Sequence, residues 1–230
     1  MENPFLKEMM QKAVEGDAES QFYMGVAFGA GEGVPLDTKL AFKWFSESAA
    51  QGYAKAQYCL AELYDYGESV EKDDIKALYW YRQSANQGFA LAQYALGTFY
   101  SQGDVVERDL EIAFKLYCKS AEQGCADAQH NLANCYQNGE GILANTELAK
   151  TWFARAAMQG KVESQYNLAV LSTEPTTIYF WALLCYRTGD VDSGRAQKLA
   201  QTVELRLSPS QIAECKDDVE RILEEIKNST

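Results

Sequence analysis

The residues that could do nucleophilic, acid–base or metal chemistry are few in this sequence. His130 is the only histidine, so any Ser–His–Asp triad would depend on it, and a site with several histidine ligands is excluded. Ser69-Val-Glu-Lys72 has the spacing of the Ser-x-x-Lys motif of penicillin-recognising enzymes, where the serine is the nucleophile. The Lys-Thr-Gly and Ser-Asp-Asn partners of that motif are missing. We therefore expect no hydrolytic activity, no metal and no organic cofactor.

A period of 36 residues runs through the sequence and indicates which elements must position any functional side chain. A period between about 20 and 50 residues is typical of stacked supersecondary units. The Gly-Glu-Gly segments at 31–33 and 139–141 keep this period and lack a following Gly-Lys-Ser/Thr, so they are predicted to be helix ends and not phosphate-binding loops. The pattern predicts a surface that holds a partner. The residues that mark the period are Gln21, Gln57, Gln93, Gln129 and Gln165.

Each unit is predicted to form two antiparallel helices. In the unit that begins at Ala54, Gly67 ends the first helix because glycine readily adopts the left-handed conformation, and Asp73 caps the second helix. The equivalent caps are Asp37, Asp109 and Asn145. A small residue at one position of each first helix predicts close approach of the paired helices: Gly25, Ala61, Gly97, Ala133 and Ala169. One position of the second helix is predicted to be buried in equivalent places: Trp44, Trp80, Leu116 and Trp152.

The pattern small-x-Ala-Gln-Tyr-x-Leu-Gly/Ala-x-x-Tyr-x-x-Gly, followed by Asp-x-x-x-Ala-x-x-Trp and Ala-Ala-x-Gln-Gly, resembles the Sel-one-like repeat. This repeat is a relative of the tetratricopeptide repeat. The resemblance implies an all-α fold, a right-handed superhelical solenoid of antiparallel helix pairs with a concave inner face. It also implies an adaptor or scaffold role.

A cysteine-rich subgroup of that family ties each helix pair with a disulfide and is associated with β-lactam binding. The corresponding positions here hold Ala50 and Gln57, then Asn86 and Gln93, then Glu122 and Gln129. Neither property of the subgroup is therefore implied for this chain.

We expect one solenoid domain over residues 1–230, without an internal linker. Residues 1–17 are predicted to form an N-terminal capping helix, 18–160 four full repeats, and 161–190 a fifth repeat whose loop is shorter by seven residues. Residues 191–230 are predicted to form C-terminal capping helices, with a first helix near 191–207. The sequence Ser208-Pro-Ser-Gln211 predicts a capping box that starts the last helix.

Charge and cysteine content narrow the class of partner. The net charge of −12 disfavours nucleic acid and anionic membranes as partners. No apolar run is long enough to span a bilayer, and the first residues lack the apolar core of a secretory signal. Six cysteines without a Cys-x-x-Cys pair are typical of buried free thiols in a reducing compartment. A cytoplasmic, bacterial protein is expected.

Positions that differ between the repeats are the candidates for binding. In the family, the first helices line the concave face, and there the fourth repeat has Asn131, Asn134 and Asn138 on one helical stripe, with Asn167 one repeat later. An asparagine can donate and accept at once, which suits the backbone of an extended peptide. Tyr58 and Tyr94 could supply apolar anchors with a polar tip. The alternative is that the asparagines are solvated surface and the tyrosines pack between helices.

These observations predict a non-catalytic adaptor or scaffold that binds a protein or extended peptide across its third to fifth repeats. Two alternatives remain: a binder of small molecules or cell-wall peptides, of the β-lactam type, with weak hydrolase activity, and a structural component of an assembly. The sequence does not indicate the partner, the pathway or the oligomeric state.

Overall fold

The structure is a computed structural model that describes residues 4–189 and 193–229, and every regular element in these residues is an α-helix. The helices are α1 (Pro4–Val14), α2 (Ala18–Ala30), α3 (Thr38–Ala50), α4 (Ala54–Tyr66), α5 (Asp74–Asn86), α6 (Ala90–Gln102), α7 (Leu110–Glu122), α8 (Ala126–Asn138), α9 (Thr146–Met158), α10 (Val162–Leu171), α11 (Pro175–Thr188), α12 (Ser193–Glu204) and α13 (Pro209–Ser229). The chain divides into two compact units, unit 1 (Met1–Ser120) and unit 2 (Ala121–Thr230), with the boundary near the end of α7, and each is described by itself. The single solenoid domain stays a prediction.

The ends of the helices confirm the local rules read from the sequence. The Asp73 carboxylate accepts a hydrogen bond from the Lys76 amide at 3.0 Å, as an N-cap should, and Gly67 ends α4 in the left-handed conformation with φ 72°. The predicted caps Asp37, Asp109 and Asn145 make the same bond, at 2.9, 2.9 and 3.0 Å. Each predicted pair of helices in the four repeats is therefore bounded where the sequence indicated.

The small residues of the first helices lie where a second helix crosses closely. A Cβ atom added to Gly97 would lie 2.8 Å from the ring of Tyr117, and one added to Gly25 would lie 2.6 Å from the ring of Phe45. Real Cβ atoms do not approach so closely, so these two glycines allow the aromatic ring of the paired helix to reach the axis of the first helix. The predicted close approach is confirmed.

The predicted burial of the tryptophan position is wrong for three of its four members. Trp44 is buried, but Trp80, Leu116 and Trp152 are only half-buried. The buried side chain is the next residue along the helix, since Tyr81 is 2 % exposed and Phe153 is 0 % exposed. That aromatic ring faces the small residue of its own repeat, whereas Trp80 packs at the border between two hydrophobic clusters. The tryptophan therefore joins neighbouring repeats instead of filling one core.

The repeated glutamines form buried hydrogen-bonded connections within both units. Each donates from Nε2 to the carbonyl eight residues before it, at 3.1 to 3.4 Å, and so joins the end of one repeat to the start of the next. In three repeats a second glutamine donates to the Oε1 of the first at 2.7 to 2.8 Å. Buried polar groups are tolerated when they are paired in this way, which explains why a polar residue occupies a core position. The three pairs are Gln51 to Gln21, Gln87 to Gln57 and Gln159 to Gln129.

Unit 2 ends in three helices that depart from the 36-residue pattern. α11 packs against both α12 and α13, and Leu184 of α11 and Val219 of α13 are buried in one hydrophobic cluster. The predicted capping box at the start of α13 is confirmed, because the Ser208 amide donates to Gln211 Oε1 at 2.9 Å and the Gln211 amide donates to Ser208 Oγ at 3.3 Å. α12 begins at Ser193, and residues 191 and 192 of the predicted helix lie outside the described residues.

The turn between α4 and α5 contains a strained position. Ser69 has φ 67°, and the equivalent residues of the first and fourth repeats are Gly33 and Gly141, with φ 74° and 73°. We expect Ser69→Gly to raise the free energy of unfolding by about 0.5–1 kcal/mol, because the left-handed conformation costs a non-glycine residue about 1–2 kcal/mol and glycine's freedom in the unfolded chain cancels part of the gain. Urea denaturation followed by circular dichroism measures the difference. Ser69→Ala, which keeps the strain, should show no gain, and a loss of stability in Ser69→Gly would contradict the assignment.

Candidate functional site

The predicted asparagine stripe lies in unit 2, on α8 and α10. Asn131, Asn134 and Asn138 lie on α8, and Asn167 occupies the position on α10 that Asn131 occupies on α8. Asn131, Asn134 and Asn167 are half-buried, and Asn138 is exposed at the end of its helix. Within residues 4–189 and 193–229, none of the four side-chain amides makes a hydrogen bond. Their donors and acceptors are therefore available to another chain.

The two predicted tyrosines lie in unit 1 and line one groove there, between α4 and α6. Tyr58 is half-buried, with its ring 5.3 Å from that of Phe89 and 5.8 Å from that of Tyr81. The Tyr94 ring lies 6.2 Å from that of Tyr117. Both rings thus pack between helices and also border open space. The structure brings these tyrosines together, and it places the asparagines in the other unit.

Sequence reasoning missed the carboxylates of this groove. Tyr58 donates its hydroxyl hydrogen to Glu62 Oε1 at 2.6 Å, and Tyr81 donates to Asp65 Oδ2 at 3.2 Å. Glu62 occupies the position of Asn134 two repeats later, so the comparison that singled out the asparagine could have found it. What the comparison could not show is that both carboxylates border the same space as the two tyrosines.

His130 is held by a structural contact. Its Nδ1 lies 2.7 Å from Ser164 Oγ, and its ring lies 5.4 Å from that of Phe153. A serine beside a histidine is the arrangement of an activated nucleophile, but Ser164 is 0 % exposed, so no substrate can reach its hydroxyl. Burial lowers the pKa of His130 and keeps the ring neutral near pH 7. The pair joins the first helices of neighbouring repeats in unit 2.

The Ser-x-x-Lys spacing does not produce a catalytic pair. Lys72 Nζ forms an ion pair with Asp74 Oδ1 at 3.0 Å. Hydrogen bonding to this carboxylate raises the pKa of Lys72, so the ammonium group stays protonated and cannot act as a base. Among the described residues, no group of three or more histidine, cysteine, aspartate or glutamate side chains is placed to hold a metal ion.

The comparison with known families decides what kind of repeat this is. A family model described as the Sel1 repeat matches residues 18–53, 54–89, 90–125 and 126–161, which is more than half of the chain. The chain belongs to the Sel1 repeat family. Sel1 repeat proteins are commonly scaffolds for protein interactions, and the fold is generally non-catalytic. Among curated protein sequences, no significant match was found.

Solved structures support the same fold. A Sel1 repeat protein from Oxalobacter formigenes superimposes with a TM-score of 0.75 at 22 % identity, covering 90 % of this chain and 88 % of that one. A protective antigen present in uropathogenic Escherichia coli, which displays the same type of repeat, gives 0.62 at 25 % identity and covers 95 % of this chain and 56 % of that one. A protein named as an immunity protein from Pseudomonas aeruginosa gives 0.50 at 19 % identity, covering 88 % and 82 %. The fold class is therefore the all-α superhelix of antiparallel helix pairs predicted from the sequence.

The cysteines and the apolar character of the helices are two further features of this Sel1 repeat chain. None of the six cysteines forms a disulfide; three of them are buried and three are half-buried. Burial raises the pKa of Cys59 to about 12, so its sulfur stays protonated and unreactive. In the part of the chain that the structure describes, no helix combines the length and the apolar composition needed to cross a membrane.

Proposed function

We propose that this Sel1 repeat protein is a non-catalytic scaffold that binds an extended segment of a partner protein on the face formed by the first helices of its repeats. The observation that carries the proposal is the set of unpaired amides of Asn131, Asn134 and Asn167 in unit 2. Three buried polar side chains on the same helices make hydrogen bonds: Gln129 and Gln165 donate to backbone carbonyls, and Ser164 bonds to His130. The three asparagines differ from these residues in being only half-buried and in making no side-chain hydrogen bond within the described residues.

A row of amides is suited to the backbone of a peptide. Each asparagine can donate to a peptide carbonyl and accept from a peptide amide, so several in a row recognise a main chain with little dependence on its sequence. Half-burial favours this use, because a partly desolvated amide loses less by leaving water than an exposed one. Each bond that is lost without replacement costs about 0.5–3 kcal/mol.

The test is the double variant Asn131→Ala with Asn134→Ala. Partners captured from a lysate of the source cells by the wild-type protein are identified by quantitative mass spectrometry, and the purified partner is then titrated against each variant. We expect the dissociation constant to rise by at least about tenfold in the double variant, which corresponds to about 1.4 kcal/mol. Asn86→Ala with Asn228→Ala is the matched control, since both asparagines are exposed at the ends of α5 and α13.

Equal binding by the two double variants, with helical content intact, would refute the role of the asparagine face. The alternative to prefer would then be a structural component that holds its partners by other surfaces. The small-molecule binder with weak hydrolase activity has less support, because Lys72 is held as a protonated ion pair and Ser164 is inaccessible. A bacterial, cytoplasmic protein is the proposal that accords with six free thiols and with the bacterial sources of the similar structures.

A further inference from the structure

A groove in unit 1 is lined by both aromatic rings and carboxylates. It encloses about 340 Å³ between α4 and α6, at the lower end of the roughly 300–1,000 Å³ of small-molecule sites. This volume suits one or two side chains of a bound segment. The lining residues that matter here are Tyr58, Glu62, Asp65, Tyr81, Tyr94 and Phe99.

Of the carboxylates that line this groove, Asp74 has its own cation in Lys72, the one lysine in the lining, whereas Glu62 and Asp65 form no ion pair within residues 4–189 and 193–229. Burial raises the pKa of Glu62, with Asp65 and Glu68 adding to the effect, because the ionised form is both desolvated and repelled there. A positive charge placed in the groove would offset both costs through its attraction to the carboxylates.

Aromatic side chains complete the lining. The hydroxyl groups of Tyr58 and Tyr81 hold one oxygen of Glu62 and one of Asp65, at 2.6 and 3.2 Å, which leaves the second oxygen of each carboxylate for another donor. Burial raises the pKa of both tyrosines, so they remain neutral donors. Rings of tyrosine and phenylalanine also attract cations to their faces when the cation is partly desolvated.

We propose that this groove receives an arginine side chain from a segment of a partner protein. The inference rests on the proposed function, because it identifies the chemistry of the partner that a scaffold of this kind would hold. Arginine fits better than lysine, since its planar guanidinium offers several donors in a fixed geometry, pairs with two oxygens at once and stacks on aromatic rings. Arginine is also enriched in protein interfaces, whereas lysine is depleted.

A labelled peptide tests the groove directly, without the native partner. We would titrate the full chain with a short fluorescein-labelled glycine/serine peptide carrying two arginines and follow fluorescence anisotropy. The control peptide replaces each arginine with citrulline, which has the same shape but no charge. We expect the arginine peptide to bind at least about tenfold more tightly than the citrulline peptide. Glu62→Gln with Asp65→Asn should remove this difference.

Matched variants separate a specific site from general attraction to an acidic protein. Asp217→Asn with Glu224→Gln removes the same two charges from exposed positions of α13 and should bind the arginine peptide as the wild type does. Circular dichroism checks the fold of each variant. If the groove double variant does not fold, Glu62→Gln alone replaces it, because glutamine still offers an acceptor to the Tyr58 hydroxyl. This single variant should likewise reduce the difference in affinity between the arginine and citrulline peptides.

Three results would overturn the proposal. The first is that the arginine peptide does not bind at all, and the second is that the citrulline peptide binds as tightly as the arginine peptide. The third is that the α13 double variant loses as much affinity for the arginine peptide as the groove double variant does. Displacement of the peptide by acetyl-arginine amide at the same concentration would show that a free cation, and not a protein segment, occupies the groove. These results do not depend on whether a captured partner binds at Asn131, Asn134 and Asn167. Failure of the groove and failure of the proposed function are therefore distinguishable.

Discussion

Replacement of Phe153 by alanine is expected to lower the free energy of unfolding by about 3–5 kcal/mol, the usual cost of removing a large aromatic side chain from a packed core. Phe153 is 0 % exposed and is surrounded by the buried residues Ala133, Ala149, Ala157 and Leu168. These neighbours lie on the packed helices α8, α9 and α10, so they can move only slightly into the space that the ring leaves. A cavity should therefore remain in unit 2.

The adjacent Trp152 is the matched control. Its side chain is larger but only half-buried, and the exposed Arg155 lies over its ring at 4.4 Å. Trp152→Ala should cost roughly 1–2 kcal/mol, because water already reaches part of the ring and fills the space. Urea denaturation of both variants, followed by circular dichroism, compares the two costs. A larger loss in Trp152→Ala than in Phe153→Ala would contradict the assignment of the core.

This pair of neighbours shows what could be predicted from the sequence and what could not. Helix ends depend on a few adjacent residues, so Gly67, Asp73 and the Ser208–Gln211 box were readable without any knowledge of the packing. Both Trp152 and Phe153 keep the repeat's period, however, and both are apolar. Which of the two fills the core depends on the rotation of the second helix against the small residue of the first, and the period alone does not determine that angle.

The candidate sites differ in the same way. The asparagines could be found because comparison of equivalent positions requires only the period. The groove in unit 1 could not be found in this way, because Glu62 and Tyr94 belong to different repeats and line the same space only in the folded unit. The contact of His130 with Ser164 likewise joins residues 34 positions apart. Such a contact depends on how closely the first helices of neighbouring repeats pack. The pattern of residues within one repeat does not show that distance.

The departure from the 36-residue pattern in α11 changes the buried polar network. Gln129 has two partners, since it donates to the Ala121 carbonyl at 3.2 Å and accepts from Gln159 Nε2 at 2.8 Å. Gln165 donates to the Ala157 carbonyl at 3.1 Å, but its Oε1 is buried without a partner among the described residues. The residue before the glycine that ends α11 is Thr188 and not glutamine, and its hydroxyl donates to its own helix, to the Leu184 carbonyl. The last glutamine is therefore only half satisfied.

This difference predicts unequal effects of the same substitution. Methionine has nearly the shape of glutamine, so Gln129→Met and Gln165→Met change hydrogen bonding with little change in packing. Gln129→Met should cost about 2 kcal/mol, because it removes two hydrogen bonds: the one to the Ala121 carbonyl, which keeps only its bond from the Gly124 amide, and the one from Gln159 Nε2. Gln165→Met should cost no more than about 1 kcal/mol, because loss of one bond is offset by removal of a buried oxygen that had no partner. Urea denaturation of the two variants measures the difference, and an equal or greater loss in Gln165→Met would show that the last glutamine is as well satisfied as the others.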